Sequence, residues 1–411
     1  MREVHVGTIR ARRTDTQRER ASTSPDPCRK AGGAPREGDE RMIKRIYVDN
    51  YKCLVNFDLQ LDELSLLLGS NGVGKSSVLE VIYAVRQLLG GVAKVTDRDV
   101  FPPSSLTRWQ SREVQVIELV VAVEDDELTY RLEIEHDGKN RRARVTREEL
   151  QSQDGPLFSF QKGTVQLYRD DHSKGPRYAA DWSESALARV PAYGDTNHRL
   201  IRFVEHVRRI IICSLYPAGI AAESSSRDPI LLRDAGNFVS WYHHMVLARQ
   251  DLLTDFNRRL QEVIHGFRAI NLPPVGQETV AMKVLFDDGK HRYDLGIDEV
   301  SDGQRALIAL YALVNLTAGQ GYSLFLDEPD NYVAICELQP WLFSLEDACG
   351  EDLPQAVLCS HHPELIDYLG PDAGVLLQRE ASGAIKPTRV RNLDMHRGLR
   401  LSELVARGWE Q

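Results

Sequence analysis

Leu66-Leu67-Leu68-Gly69-Ser70-Asn71-Gly72-Val73-Gly74-Lys75-Ser76-Ser77 is the stretch from which the rest of the chain is read. An apolar run ends at Gly69 and an amphipathic helical pattern begins at Ser76. Between them lies G-x-x-x-x-G-K-S, the spacing of a phosphate-binding loop. Glycines free the backbone N–H groups to curl around an anion. The following helix turns its positive end to the same place. Lys75 is expected to reach the outer phosphates as a point charge, and Ser76 to offer its hydroxyl to Mg²⁺.

Outward from this loop the chain alternates strand and helix patterns. Ile43, Ile46 and Val48 open a strand, and Phe57, Leu59 and Leu61 alternate like a half-buried one. Val78, Leu79, Val81, Ile82, Val85, Leu88 and Leu89 form a helical stripe stopped by Gly90-Gly91. Glu113 to Val123 and Leu128 to Glu135 read as strands, with Asp137-Gly138 as a hairpin turn. Residues 150 to 195 have weak periodicity and are assigned short strands and loops. A helix is predicted over Leu200 to Ile211, and two more over Asn237 to Leu247 and Leu252 to Val263. Asp288-Gly289 marks another hairpin. Four segments follow: an extension at 1–41, a first lobe at 42–195, a helical insertion with hairpin at 196–298, and a second lobe at 299–411.

Composition narrows the class. A chain of 411 residues can bury a large core, and its net charge of −9 argues against indiscriminate coating of nucleic acid. The six cysteines are scattered without a C-x-x-C pair, as expected for reduced thiols in a cytoplasmic protein. No apolar run approaches the ~18 residues of a membrane span. Residues 1–41 are rich in Arg, Ser, Pro and Gly and poor in large apolar residues, so they are expected to be disordered. Strand-like sequence begins at Met42, which suggests an alternative start.

Three further pieces carry chemistry. Tyr322 to Leu326 is a buried strand ending in Asp327-Glu328. Asp327 is expected to hold Mg²⁺ directly or through water, and Glu328 to orient and deprotonate water. Ser301-Asp302-Gly303-Gln304 precedes a helical stripe, so Ser301 and Gly303 sit where a helix N-terminus suits a phosphate. Ala356 to Ser360 is a short strand followed by His361, a donor to a γ-phosphate. Taken singly, these last pieces read equally well as a strand end, a helix cap and a surface histidine.

In this order the four pieces resemble the ATP-binding-cassette (ABC) class of ATPases, and more closely its RecF/SMC-like branch with the arm-less AAA-family ATPases of prokaryotes. Asn50-Tyr51-Lys52 is similar to that branch's N-[FY]-[KR] opening. Arg233-Asp234-Ala235-Gly236-Asn237 loosely resembles its R-D-G-x-N-L segment, with Ala235 for Gly and Phe238 for Leu. The likeness runs from about Met42 to Asp367. It implies an α/β P-loop NTPase fold of ABC-ATPase type, a mixed sheet with an added antiparallel β subdomain and a helical subdomain. It also implies ATP and Mg²⁺ as cofactors and a homodimer sandwiching nucleotide between the loop Gly69–Ser77 of one subunit and Ser301 and Gly303 of the other. His361 would sense the γ-phosphate, and Asp330 would belong to the loop linking the two sites. A glutamine that assists the metal in this class has four candidates here, Gln110, Gln115, Gln151 and Gln161.

From Lys75 to Asp327 is 252 residues, more than twice the interval of a transporter subunit, yet no sustained heptads mark a coiled-coil arm. The expectation is a compact ATPase without a membrane partner. It would switch an effector protein such as a nuclease or toxin in anti-phage defence, or a DNA-repair process. The alternatives are a RecF-like DNA-binding clamp, or a nucleotide-binding module with little turnover. Arg141, Arg142, Arg144, Arg202, Arg208 and Arg209 are basic clusters that could meet DNA phosphates, but they are read first as solvated faces with internal partners. The chain carries no nuclease constellation of its own. A chain beginning at Met42 is expected to keep the thermal stability and nucleotide binding of the full one. A large fall in melting temperature would refute the assignment of residues 1–41.

Overall fold

A computed structural model describes residues 41–138, 142–191, 196–393 and 400–406. The expected disordered extension therefore lies outside the described residues except for Arg41, which is the first residue of a strand; Arg141 lies outside them too. In chain order the elements begin with β1 (Arg41–Asp49), β2 (Phe57–Gln60), β3 (Leu64–Leu68) and α1 (Lys75–Leu89). Next come β4 (Val114–Val123), β5 (Asp126–Asp137), β6 (Arg142–Ser152), β7 (Pro156–Gln161), β8 (Thr164–Tyr168) and β9 (Lys174–Ala179). Helix α2 (His198–Arg208) leads to β10 (Ile210–Cys213), the short β11 (Glu223–Ser224), α3 (Phe238–Ala248) and α4 (Leu253–Val263). Then follow β12 (Phe267–Asn271), β13 (Val280–Ala281), β14 (Lys283–Asp287) and β15 (Arg292–Gly296). The last part holds α5 (Asp302–Thr317), β16 (Ser323–Asp327), α6 (Ile335–Ala348), β17 (Ala356–Cys359), α7 (Pro363–Ala373), β18 (Gly374–Arg379), β19 (Ile385–Arg389) and α8 (Leu401–Ala406).

Six strands form the central sheet in the order β10-β16-β17-β3-β18-β19. All are parallel except β19, which pairs antiparallel to β18. Alternation along each strand divides the interior into two cores. Ile210, Ile212, Phe325, Val357, Leu67 and Val375 face a core shared with α1 and a second sheet. Ile211, Leu324, Leu326, Leu358, Leu66 and Leu376 face a core shared with α3, α5 and α6. The second sheet is antiparallel, eight strands in the order β2-β1-β4-β5-β6-β7-β8-β9. The expected mixed sheet with an added antiparallel subdomain is thus the observed fold.

One expectation shifts and others are met. The run Leu200 to Ile211 is not one helix: α2 stops at Arg208, and Ile210-Ile211-Ile212-Cys213 become the edge strand β10 beside β16. Three consecutive isoleucines favour extended backbone, and parallel pairing with β16 buries all four residues. Residues 150 to 195 hold the expected short strands, β7 to β9, and their weak apolar signal reflects the exposed edge strand β9. The hairpin at Asp288-Gly289 joins β14 to β15 as expected, with Gly289 at φ 83°.

Helix α2 carries a histidine whose chemistry is testable. His206 is buried, and neither ring nitrogen has a hydrogen-bond partner among the described residues. Burial first, then Arg41 and Arg209, push its pKa down to about 4. The folded state therefore keeps the ring neutral while the unfolded chain takes up a proton near pH 6.5, so stability falls as pH drops from 6.5 toward 4. His206→Leu should remove this slope, sparing about 3 kcal/mol of acid destabilisation by pH 4. Melting curves of both proteins between pH 7 and 4.5 check this; parallel pH dependences would contradict it.

Candidate functional site

The strand register brings five strand ends to one edge of the central sheet. Cys213 lies beside Leu326, Asp327 beside Cys359, Cys359 beside Leu67, and Leu376 beside Leu68. In a parallel α/β sheet this carboxyl edge is where loops gather into a ligand crevice. The loops leaving it contain Gly69–Gly74, Glu328, Ser360-His361 and Ser214.

The first of these is shaped by its glycines. Gly69, Gly72 and Gly74 adopt φ of 136°, 82° and 96°, the left-handed side that glycine alone enters freely. At Gly69 a Cβ would lie 2.5 Å from the Leu377 carbonyl oxygen of β18, and at Gly74 one would lie 2.8 Å from the Cys53 Sγ. Gly72 faces open space. Lys75 is buried and donates to the carbonyls of Gly69 (2.7 Å) and Ser70 (3.3 Å), which folds its ammonium back across the loop. Arg379, at the end of β18, donates to the Gly72 carbonyl at 2.8 Å. Ser70, Asn71, Val73 and Ser77 fall in the same loop and first helical turn.

The acidic strand meets this loop. Ser76 Oγ lies 3.2 Å from Asp327 Oδ1, so the two residues expected to hold Mg²⁺ come together. Burial raises the Asp327 pKa, and the Ser76 hydroxyl and Arg233 oppose the rise. Glu328 stands at φ 50°, with its amide donating to the Cys359 carbonyl at 2.8 Å. Its two carboxylate oxygens are engaged by His361 Nδ1 (3.0 Å) and Asn331 Nδ2 (2.8 Å). The acid and the histidine singled out in the sequence are therefore direct partners.

Ser301 caps α5 in a reciprocal box with Gln304: each side chain bonds the other's backbone at 3.3 Å. A Cβ on Gly303 would lie 2.9 Å from the Tyr332 carbonyl, so this turn packs on the loop that follows Glu328. Among the described residues, the hydrogen bonds of Ser301 stay within its own turn and none reaches the loop Gly69–Ser77. Asp330 is buried, and its Oδ1 has no partner among the described residues.

The four glutamine candidates and the basic residues have the following surroundings. Gln115 is a structural residue: its Nε2 donates to Asn50 O, Ser105 O and Ser105 Oγ at 3.1 Å each, and its Oε1 bonds His136 Nε2 at 2.8 Å. Gln151 and Gln161 lie on β6 and β7 of the antiparallel sheet, while Gln110 accepts from Arg112. Four of the basic residues have internal partners: Arg144 pairs with Glu135, Arg202 with Glu124, Arg208 with the Leu89 carbonyl and Arg209 with the Gln320 carbonyl. Two residues near the acids and the loop, Glu80 and Arg379, had no role from sequence. Glu80 lies one turn beyond Ser76 on α1, pairs with Lys52, and is 3.6 Å from Arg233. The spacing of Ser76 and Glu80 was the available signal, because positions i and i+4 share a helix face. Arg379 had none.

Residues 42–136 match the family model described as an AAA ATPase domain. Over 44 residues the chain is 43% identical to an OLD nuclease of Thermus scotoductus, a stretch amounting to 11% of this chain and 8% of that one. Residues 42–136 are thus an AAA ATPase domain. The fold is that of an SMC head bound to the C-winged helix domain of ScpA, with TM-score 0.52 and 12% identity over 84% of this chain and 97% of that one. It is similarly that of an Smc head from Pyrococcus furiosus with an extended coiled coil, bound to the C-terminal domain of ScpA, at TM-score 0.51 and 11% identity over 90% and 99%. Among the described residues no helix is long and apolar enough to cross a membrane.

The loop packing yields a paired prediction. Gly74→Ala meets both a positive φ and the Cys53 thiol, and should lose about 2–3 kcal/mol of stability. Gly72→Ala meets the φ alone, with nothing within 4 Å, and should lose only about 1 kcal/mol. Chemical denaturation without nucleotide measures both; equal losses would contradict the packing of Cys53 on the loop.

Proposed function

We propose that this chain binds and hydrolyses Mg-ATP and closes as a homodimer around the nucleotide, using the opening and closing to switch a partner protein. The observation that carries the reading is the convergence of the glycine cradle, Ser76–Asp327 and Glu328–His361 on one sheet edge. The cradle fits a polyphosphate. Its backbone is left-handed where glycines stand, two of those glycines have no room for a side chain, and a buried ammonium lies on the loop's own carbonyls.

Gly69 to Ser77 would hold the phosphates, with Ser76 and Asp327 holding Mg²⁺. When bound, Mg-ATP supplies the phosphoanhydride bond and the divalent charge. Lys75 exchanges its contacts with the Gly69 and Ser70 carbonyls for phosphate oxygens, which keeps its charge solvated throughout. Glu328 orients a water and accepts its proton, as a general base must within hydrogen-bond reach. Its φ of 50° and the Asn331 contact fix that carboxylate, and His361 turns between Glu328 and the ligand. Ser301 and Gly303 serve the partner subunit's nucleotide. The hydrogen bonds of Ser301, all within its own turn among the described residues, and the Asp330 oxygen without a partner among them both favour a site completed by a second copy.

The internal pairing of Arg144, Arg202, Arg208 and Arg209 favours an effector protein over DNA as the thing switched. The short likeness to an OLD nuclease supports a nuclease as that effector, and SMC heads solved with ScpA domains offer a precedent for a partner docked on this fold. Cytoplasmic placement goes with this reading. Filter binding of duplex and single-stranded DNA across a salt series separates it from the DNA-clamp alternative.

The decisive variants act in opposite directions. Glu328→Gln should cut turnover by about 10²–10⁴-fold while keeping ATP binding, and should trap an ATP-bound dimer. Ser301→Arg should bind ATP yet stay monomeric, and Lys75→Ala and Asp327→Ala should both weaken Mg-ATP binding. Light scattering with and without Mg-ATP tests the dimer. If Glu328→Gln remains monomeric at saturating ATP, the sandwich mechanism fails and a single-chain nucleotide switch takes its place.

A further inference from the structure

Two motifs that the nucleotide reading leaves without chemistry, Asn50-Tyr51-Lys52 and Arg233-Asp234-Ala235-Gly236-Asn237, meet at one carboxylate. Lys52 Nζ pairs with Glu80 Oε2, and Arg233 reaches the other oxygen, Oε1, at 3.6 Å. The second nitrogen of the Arg233 fork lies 3.8 Å from Asp327 Oδ2. At these separations neither Arg233 contact is a hydrogen bond, so the guanidinium is shared by Coulombic attraction and held rigidly by neither acid. The backbone aims it. The Arg233 carbonyl accepts from the Ser214 amide at 2.7 Å, the Asp234 carbonyl accepts from the Tyr216 amide at 3.1 Å, and Ala235 turns the chain at φ 59°. This fastens the segment to the end of β10, beside Asp327 on β16.

Lys52 and Arg233 balance Glu80 and Asp327, so the cluster is neutral before any divalent ion arrives. A metal held by Ser76 and Asp327 would add positive charge next to a guanidinium that shares the same carboxylate, and the two cations repel. We propose that Arg233 is a positioning residue that stands in for the metal. It holds Asp327 when the divalent ion is absent and yields that carboxylate to the ion by moving onto Glu80. Glu80 is the counter-charge that makes the exchange possible. This inference rests on the Mg-ATP reading above. In it the two motifs act together to set how tightly the site takes its metal.

The test uses Mn²⁺ as the probe, with free Mn²⁺ followed by EPR in the presence of the full chain and a non-hydrolysable ATP analogue. Arg233→Gln removes the competing cation and should tighten Mn²⁺ binding about fivefold, the scale of a partly exposed ion pair. Glu80→Gln leaves the guanidinium with Asp327 and should weaken Mn²⁺ binding about threefold to fivefold. The double variant should follow Arg233→Gln, and Arg233→Lys, which keeps the charge, should stay near the wild-type midpoint. Analogue affinity in EDTA should be unchanged in all of them. Shifts of the same sign for Arg233→Gln and Glu80→Gln, or no shift in either, would overturn the inference. So would weaker analogue binding by Arg233→Gln in EDTA, which would make Arg233 a phosphate ligand. Failure of the underlying reading looks different: the wild-type chain would then bind no Mn²⁺ with the analogue, and Lys75→Ala would match it.

Discussion

Everything at the site depends on the parallel register of the central sheet. Strands β16, β17, β3 and β18 are hydrogen-bonded side by side, with Asp327 level with Cys359, Cys359 with Leu67, and Leu376 with Leu68. Parallel strands are buried on both faces and read as near-continuous apolar runs, so their alternation is hidden in the sequence but enforced by two separate cores. A one-residue slip in β16 would reverse which side chains enter each core and carry Asp327 away from Ser76. The placing of Asp327 beside Ser76 is thus fixed mainly by hydrophobic packing.

Local crowding then removes slack from the loop. The Leu377 carbonyl approaches Gly69 so closely that no other residue fits, and the Cys53 thiol does the same at Gly74. Arg379 holds the Gly72 carbonyl from the outer side. Because a trans peptide sets its C=O and N–H in opposite directions, anchoring that carbonyl also sets where the Val73 amide points. Three elements remote in sequence, the turn after β1, strand β18 and its final arginine, therefore fix a loop whose own residues are nearly featureless. Such preorganisation is what lets backbone amides act on charge without reorganising.

How much of this was legible follows from range. The loop Gly69–Ser77, the strand ending in Asp327 and the hairpin at Asp288-Gly289 are local signals, and each appears where the sequence placed it. The strand β10 was hidden because Ile210 and Ile211 continue the apolar stripe of α2; only pairing with β16, more than a hundred residues away, separates strand from helix. Gln115 was a reasonable candidate by type, yet its environment is made by Asn50, Ser105 and His136, which no spacing rule connects. Arg233 was visible as a motif but mute in role, since its meaning lies in its distance to Glu80 and Asp327.

Two of the non-glycine residues that turn left-handed, Ala235 and Glu328, show where local preference gives way. Each such residue costs about 1–2 kcal/mol against ordinary backbone. At Ala235 the related motif has glycine, and the methyl group here is fully buried, so packing offsets part of that strain. At Glu328 no burial compensates. Continued strand geometry would send successive side chains to opposite faces of the sheet, parting Glu328 from Asp327. The turn at φ 50° instead lets the Glu328 amide bond the Cys359 carbonyl while its carboxylate meets His361. Two adjacent acids are thereby separated, one half-buried against Ser76, the other turned to a histidine. Strain at a position with no packing benefit is the mark of a residue whose direction matters more than its stability, and here that direction carries the carboxylate to His361 and Asn331.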